Sequence, residues 1–107
     1  MSLDIFLEET QIVEVYWRNI THNLGVMAME CGLYDPLWRP YEIGYKKASD
    51  LIGPITQGLS ELESYPDKYK KLNPENGWGD YDGLVEFARE YLKACQEHPN
   101  ADVWASG

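Results

Sequence analysis

Apolar and polar residues alternate between Leu3 and Arg18, whereas from Ile20 the apolar residues recur every third or fourth position. A change of period from 2 to about 3.6 residues separates strand from helix. Leu3, Ile5 and Leu7 share one side of the first run, with Asp4, Phe6 and Glu8 on the other. In the second run Val13, Val15 and Trp17 oppose Glu14, Tyr16 and Arg18. Two such runs so close together predict an antiparallel hairpin turning near Glu9-Thr10. Ile20, Leu24, Met27, Ala28 and Cys31 then form one helical stripe that Gly32 stops, with Asn19 or Thr21 as its N-cap.

Pro36 and Pro40 make the segment Leu33 to Pro40 a loop or one short turn. A second helix reads through Ala48, Leu51, Ile52, Ile55, Leu59 and Leu62, and Gly53-Pro54 predicts a kink or a break in it. Tyr65-Pro66 ends that helix, and Asp67 to Leu72 reads as one more turn. The third starts near Asp80 or Asp82, carries Leu84, Val85, Ala88, Leu92 and Cys95 on one face, and stops at His98-Pro99-Asn100. Residues Ala101 to Ser106 alternate again, as an edge or central strand beside the hairpin. The order β-β-α-α-α-β predicts a single α+β domain over residues 1–107. Its small antiparallel three-stranded sheet, the N-terminal hairpin plus a C-terminal strand, packs against about three helices.

Charge narrows the partners. Eighteen acidic residues against nine basic ones leave a net charge of -9, which repels nucleic-acid backbone and anionic membrane. A small anion at a local basic spot is still compatible with that field, as is docking on a basic protein or mimicry of DNA. No stretch approaches the ~20 apolar residues of a membrane span, and Met1-Ser2-Leu3-Asp4 lacks the basic start of a signal peptide. The chain therefore reads as soluble and cytoplasmic. The Asn19-Ile20-Thr21 sequon reads as accidental, and Cys31 and Cys95, on apolar helical positions, as buried free thiols. Four Trp and eight Tyr stand against two Phe. Rings with a polar handle suit half-wet surfaces, so the excess favours a binding surface.

Three segments carry candidate site residues. Arg18-Asn19-Ile20-Thr21-His22-Asn23 runs from strand into helix, where free backbone N–H groups and the helix dipole favour an anion. There Arg18 supplies a bidentate contact to phosphate or carboxylate, and Asn19, Thr21, His22 and Asn23 read polar atoms. The competing assignment is a capped helix with Arg18 and His22 in solvent. Tyr34 to Tyr41 places Trp38 beside Arg39, a surface on which a base stacks, unless Leu37 and Trp38 plug the core. Asn73 to Gly79 is rich in turn formers, and Trp78 serves either as a lid or as a pin into the core.

Catalytic templates fit poorly. Two His and two Cys lie too far apart in sequence for a zinc signature, and neither a serine elbow nor G-x-G-x-x-G occurs. Glu61, Glu63, Glu86, Glu90 and Glu97 fall on polar helix faces and read as solvated surface.

Met1-Ser2-Leu3-Asp4, Ile20-Thr21-His22-Asn23-Leu24, Leu37-Trp38-Arg39-Pro40 and Asn73-Pro74-Glu75-Asn76-Gly77-Trp78-Gly79, with the helix from Gly83 to His98, span nearly the whole chain. In these the chain resembles a family of small uncharacterised proteins from bacteria and their phages. The resemblance transfers no catalytic residue. Its phage setting implies small effectors, including those that capture nucleotide signals of host defence.

The leading expectation is a binding protein without catalysis or cofactor. It holds a nucleotide-like or otherwise anionic ligand between the Arg18–Asn23 segment and the Trp38-Arg39 loop, with Trp78 nearby and phosphate at the first helix's N-terminus. A homo-oligomer that completes so small a pocket is a further expectation. One alternative is an acidic protein-interaction module or inhibitor whose exposed Tyr and Trp form a hot spot. Another is a small hydrolase using His22 as base.

Overall fold

The computed structural model describes residues 2–9 and 13–106, so Thr10 of the predicted turn lies outside the described residues. Strands β1 (Ser2–Glu9), β2 (Val13–Thr21) and β3 (Asp102–Ser106) form an antiparallel sheet in the order β2-β1-β3. The helices are α1 (Gly25–Cys31), α2 (Tyr34–Trp38), α3 (Ala48–Ser64), α4 (Pro66–Lys70) and α5 (Tyr81–Glu97). The α+β sheet-and-helix layout stands as expected, with short helices α2 and α4 where single turns were expected, beside the three helices read from their stripes.

Leu3, Ile5 and Leu7 of the central strand are buried against the helices, where they join Leu51, Ile55, Leu84 and Phe87 in one core cluster. In β2 the predicted alternation does not hold. The pairing shifts between Leu7 and Glu8: Leu7 faces Tyr16, but Glu8 faces Glu14, leaving Val15 as an extra residue. A bulge of this kind swaps the faces beyond it. Tyr16 therefore turns toward the helices and stacks on Tyr91 of α5, while Trp17 turns to the opposite face.

Helix α1 ends at Gly32, whose φ of 87° lets its N–H bond back to the carbonyls of Ala28 and Met29. Of the kink or break expected at Gly53-Pro54, the break does not occur: the helix runs unbroken from Ala48 to Ser64 with Pro54 inside it. Proline removes one ladder bond, whereas Leu51, Ile55, Leu59 and Leu62 bury both halves in the same core. Asp80 caps α5 by accepting from the Gly83 N–H at 2.7 Å. Cys31 and Cys95 are free and buried. No helix among the described residues is long and apolar enough to cross a membrane.

The outer edge of β3 is covered. Tyr41 donates its hydroxyl to the Val103 carbonyl at 3.1 Å and accepts from the Ala105 N–H at 3.0 Å. The Val103 N–H reaches the Lys46 carbonyl at 2.9 Å. Those bonds pin the segment after α2 to the sheet and bring Trp38, Arg39 and Tyr41 to its end.

The Tyr16 and Tyr91 hydroxyls are buried with no hydrogen-bond partner among the described residues. Tyr91→Phe keeps the ring stack on Tyr16 and the edge contact with Phe87 while removing a desolvated hydroxyl. It is expected to stabilise the fold by about 1 kcal/mol. Urea unfolding with an unchanged slope measures this, and a loss of stability would show that the hydroxyl is satisfied.

Candidate functional site

Two concavities lie at the end of the sheet where β1 begins and β2 ends, one on each face. On the helix side is a cleft of ≈ 680 Å³. Leu3 and Ala105 form its floor, Val26 and Met29 of α1 one side, and Tyr34, Trp38, Arg39 and Tyr41 the other. His22 lies between them.

Local sequence explains the aromatic wall. Tyr34 and Trp38 are one helical turn apart on α2, so their side chains meet. The rings stack at 5.4 Å between centroids and 5° between planes. The Trp38 indole N–H donates to His22 Nδ1 at 2.8 Å, joining α2 to the end of β2. With Nδ1 accepting, a neutral His22 ring carries its proton on Nε2. Arg39 closes the wall, its guanidinium 6.0 Å from the Tyr34 ring centre. Its Nε donates to the Tyr34 hydroxyl and its Nη1 to Glu42, each at 3.4 Å. The Tyr34 hydroxyl, and after it the Glu42 carboxylate, raise the arginine's already high pKa and hold its charge. Both contacts are long and solvent-exposed, so they yield readily to a stronger anionic acceptor.

The second concavity, ≈ 570 Å³ on the open face, is lined by Ser2, Asn19, Thr21, Asn23, Asn76 and Trp78. Thr21 caps the 3-10 turn His22–Leu24 by accepting from the Asn23 N–H at 3.3 Å. Asn23 Nδ2 donates to the Trp78 carbonyl at 3.4 Å, fastening the 73–79 loop to the strand end. Trp78 itself is 70% exposed, which excludes its role as a pin into the core.

Of the expected site residues, the structure gathers His22, Trp38 and Arg39 in the cleft, and Asn19, Thr21, Asn23 and Trp78 in the second concavity. Consecutive residues leave the strand end toward opposite faces, so one expected cluster is two. Arg18 belongs to neither. Beyond the bulge it faces the helices, where it ion-pairs with Glu90 and lies 6.0 Å from the Phe87 ring centre. Phosphate at the first helix's N-terminus also fails: β2 extends to Thr21, a 3-10 turn follows, and α1 is only seven residues long. Asn19 is a strand residue paired with Asp4, not a cap. Glu61, Glu63 and Glu90 lie at the surface as expected and also hold partners: Glu61 accepts from the Tyr69 hydroxyl at 2.6 Å, Glu63 pairs with Arg89, and Glu90 with Arg18. Val26 and Met29 are cleft residues that sequence reasoning left out, and Tyr34 opens the aromatic segment without being singled out as a binding residue. The four-residue spacing of Tyr34 and Trp38 was the available signal.

No family model, curated protein or solved structure matches this chain. The chemistry of the cleft must therefore be argued from its own residues. Among the described residues no group of three or more His, Cys, Asp or Glu is placed to hold a metal ion. The cleft wall instead offers two stacked rings, an indole-anchored imidazole and one arginine loosely paired with the Glu42 carboxylate that also lines the cleft, in a chain of net charge -9. Rings of this kind suit contact with a flat ring, and the guanidinium suits contact with a negative group that displaces Glu42.

Proposed function

We propose that the chain is a cytoplasmic, non-catalytic binding protein that holds a planar anionic ligand of nucleotide type in the His22–Trp38–Arg39 cleft. One observation carries this reading: the parallel Tyr34–Trp38 stack with the Arg39 guanidinium beside it on a single wall. Aromatic faces take a base at about 1–3 kcal/mol per stacked ring. Arginine offers a planar fork of donors that matches phosphate. The Trp38 indole N–H occupies His22 Nδ1, so that nitrogen is not available as the base of a hydrolase. Capture of a nucleotide signal, the role implied by the resemblance to small bacterial and phage proteins, asks nothing more of the site.

Calorimetry with the four common nucleoside 5′-monophosphates, each beside its uncharged nucleoside, tests the proposal. At least one monophosphate is expected to bind, with its nucleoside at least tenfold weaker. Arg39→Ala should lose about tenfold or more in affinity, with an unchanged melting temperature. Trp38→Phe should also weaken binding, since it leaves His22 without its indole donor. Arg18→Ala should bind as the parent does. Absence of binding at millimolar nucleotide, or full affinity in Arg39→Ala, would overturn the assignment.

A further inference from the structure

The face of the sheet opposite the helices carries a row of three aromatic rings. Phe6 is paired with Trp17 on β2 and with Trp104 on β3, so all three point outward in register. Trp17 is 48% and Trp104 47% exposed, although tryptophan is among the most buried residues on average. Tyr41 extends the row beyond β3, meeting Trp104 edge-on with centroids 6.5 Å apart. Nothing in the cleft's chemistry requires Phe6, Trp17 or Trp104.

The neighbouring rows give the face its sign. Asn19, Asp4 and Ser106 lie on one side of the aromatic row, and Glu14, Glu8 and Asp102 on the other. Asp102 is matched by Lys47 at 2.5 Å, but Glu8 and Glu14 sit directly opposite each other with no cation paired to either among the described residues. Like charges opposed across a ladder destabilise it, so folding does not account for this pair.

We propose that the open sheet face is a docking surface for a basic protein segment presenting arginines. Charge complementarity selects this occupant. A guanidinium lies flat on an indole face and donates its fork to flanking carboxylates, and the face supplies both groups in adjacent rows. Nucleic acid and anionic membrane are repelled by the same carboxylates. A second copy of this chain would set acidic rows against acidic rows, because a two-fold contact joins the same patch to itself.

Octa-arginine is the probe, with octa-lysine as comparator and the four tryptophan indole N–H signals read by NMR. Octa-arginine is expected to move the Trp17 and Trp104 signals and leave those of Trp38 and Trp78 in place, with octa-lysine binding more weakly. Trp17→Ser/Trp104→Ser should reduce affinity at least tenfold, and Arg39→Ala should not change it. Glu8→Gln/Glu14→Gln should weaken binding while raising the melting temperature, a pairing that a structural role would not produce; it also keeps the test open if the serine pair folds poorly. Equal movement of all four indole signals, or full affinity in the serine pair, would reduce the interaction to diffuse charge and overturn the proposal. A dimer in sedimentation that the serine pair abolishes would give the face to a second copy and overturn it equally.

Discussion

Gly79→Ala is expected to destabilise the fold by about 2–5 kcal/mol, well beyond the effect of Gly77→Ala two residues earlier. Both glycines have left-handed backbones, with φ of 74° at Gly77 and 94° at Gly79. A side chain at either position pays that conformational term, on the order of 1–2 kcal/mol. Only Gly79 adds a collision. A Cβ there would stand 2.7 Å from Thr21 Cγ2 and 3.0 Å from Leu24 Cγ, while at Gly77 nothing lies within 4 Å. Leu24 is buried and Thr21 caps the 3-10 turn, so neither yields without moving the strand end. The difference between the two variants in urea unfolding isolates the contact. Equal effects would mean that the 73–79 loop is not seated on β2 as described. Because Asn23 reaches the Trp78 carbonyl across the same seam, Gly79→Ala should also shift the Asn23 side-chain amide signals, and Gly77→Ala should leave them in place.

Leu3, Ile5 and Leu7 were legible because β1 is central, paired on both sides and buried on one face, so a period of two survives intact. The third helix was legible from its stripe and from Asp80, a capping residue where the periodic run begins. A bulge leaves no such trace. One extra residue at Val15 exchanges the faces of Trp17 and Arg18, and every inference that depended on which way Arg18 points changed with it. Its partner Glu90 lies on a helix far along the chain, and no local pattern shows that the two meet.

The candidate site was legible in composition but not in arrangement. The expected residues other than Arg18 line two concavities and not one, because Thr21 and His22 diverge to opposite faces of the sheet. The Trp38–His22 bond, which ties two of the expected segments together, depends on how the segment after α2 is fixed by Tyr41 to β3. Phe6, Trp17 and Trp104 were individually visible as aromatic strand residues. Their alignment follows from strand order and register, which the lone C-terminal run could not fix.

Stability is expected to fall steeply above about pH 9, earlier than exposed groups alone would dictate. Burial pushes the Cys31 thiol up from 9.0 to about 11 and the Cys95 thiol up from 9.0 to about 12. The Tyr91 phenol is raised well above 10.0 by burial, and Tyr69 is raised by burial and then by the Glu61 carboxylate it bonds. In each case the fold favours the protonated form. Below the unfolded value both states hold the proton, and the contribution to stability is fully present. As pH rises past 9.0 the unfolded chain releases thiol protons first, and stability drains until the folded values near 11 and 12 are reached. Across that window each thiol removes about 1.4 kcal/mol per pH unit. Against a total of about 5–15 kcal/mol, the two thiols alone remove a large fraction of the fold's stability across that window. Urea midpoints measured from about pH 8 to about pH 11 should trace the decline. Cys95→Ala should start lower, because a small cavity opens in the core, and then fall with a shallower slope because one titrating group is gone. A parallel decline in parent and variant would mean that the Cys95 thiol is open to hydroxide in the native state, and the packing of α5 against the sheet would need redrawing.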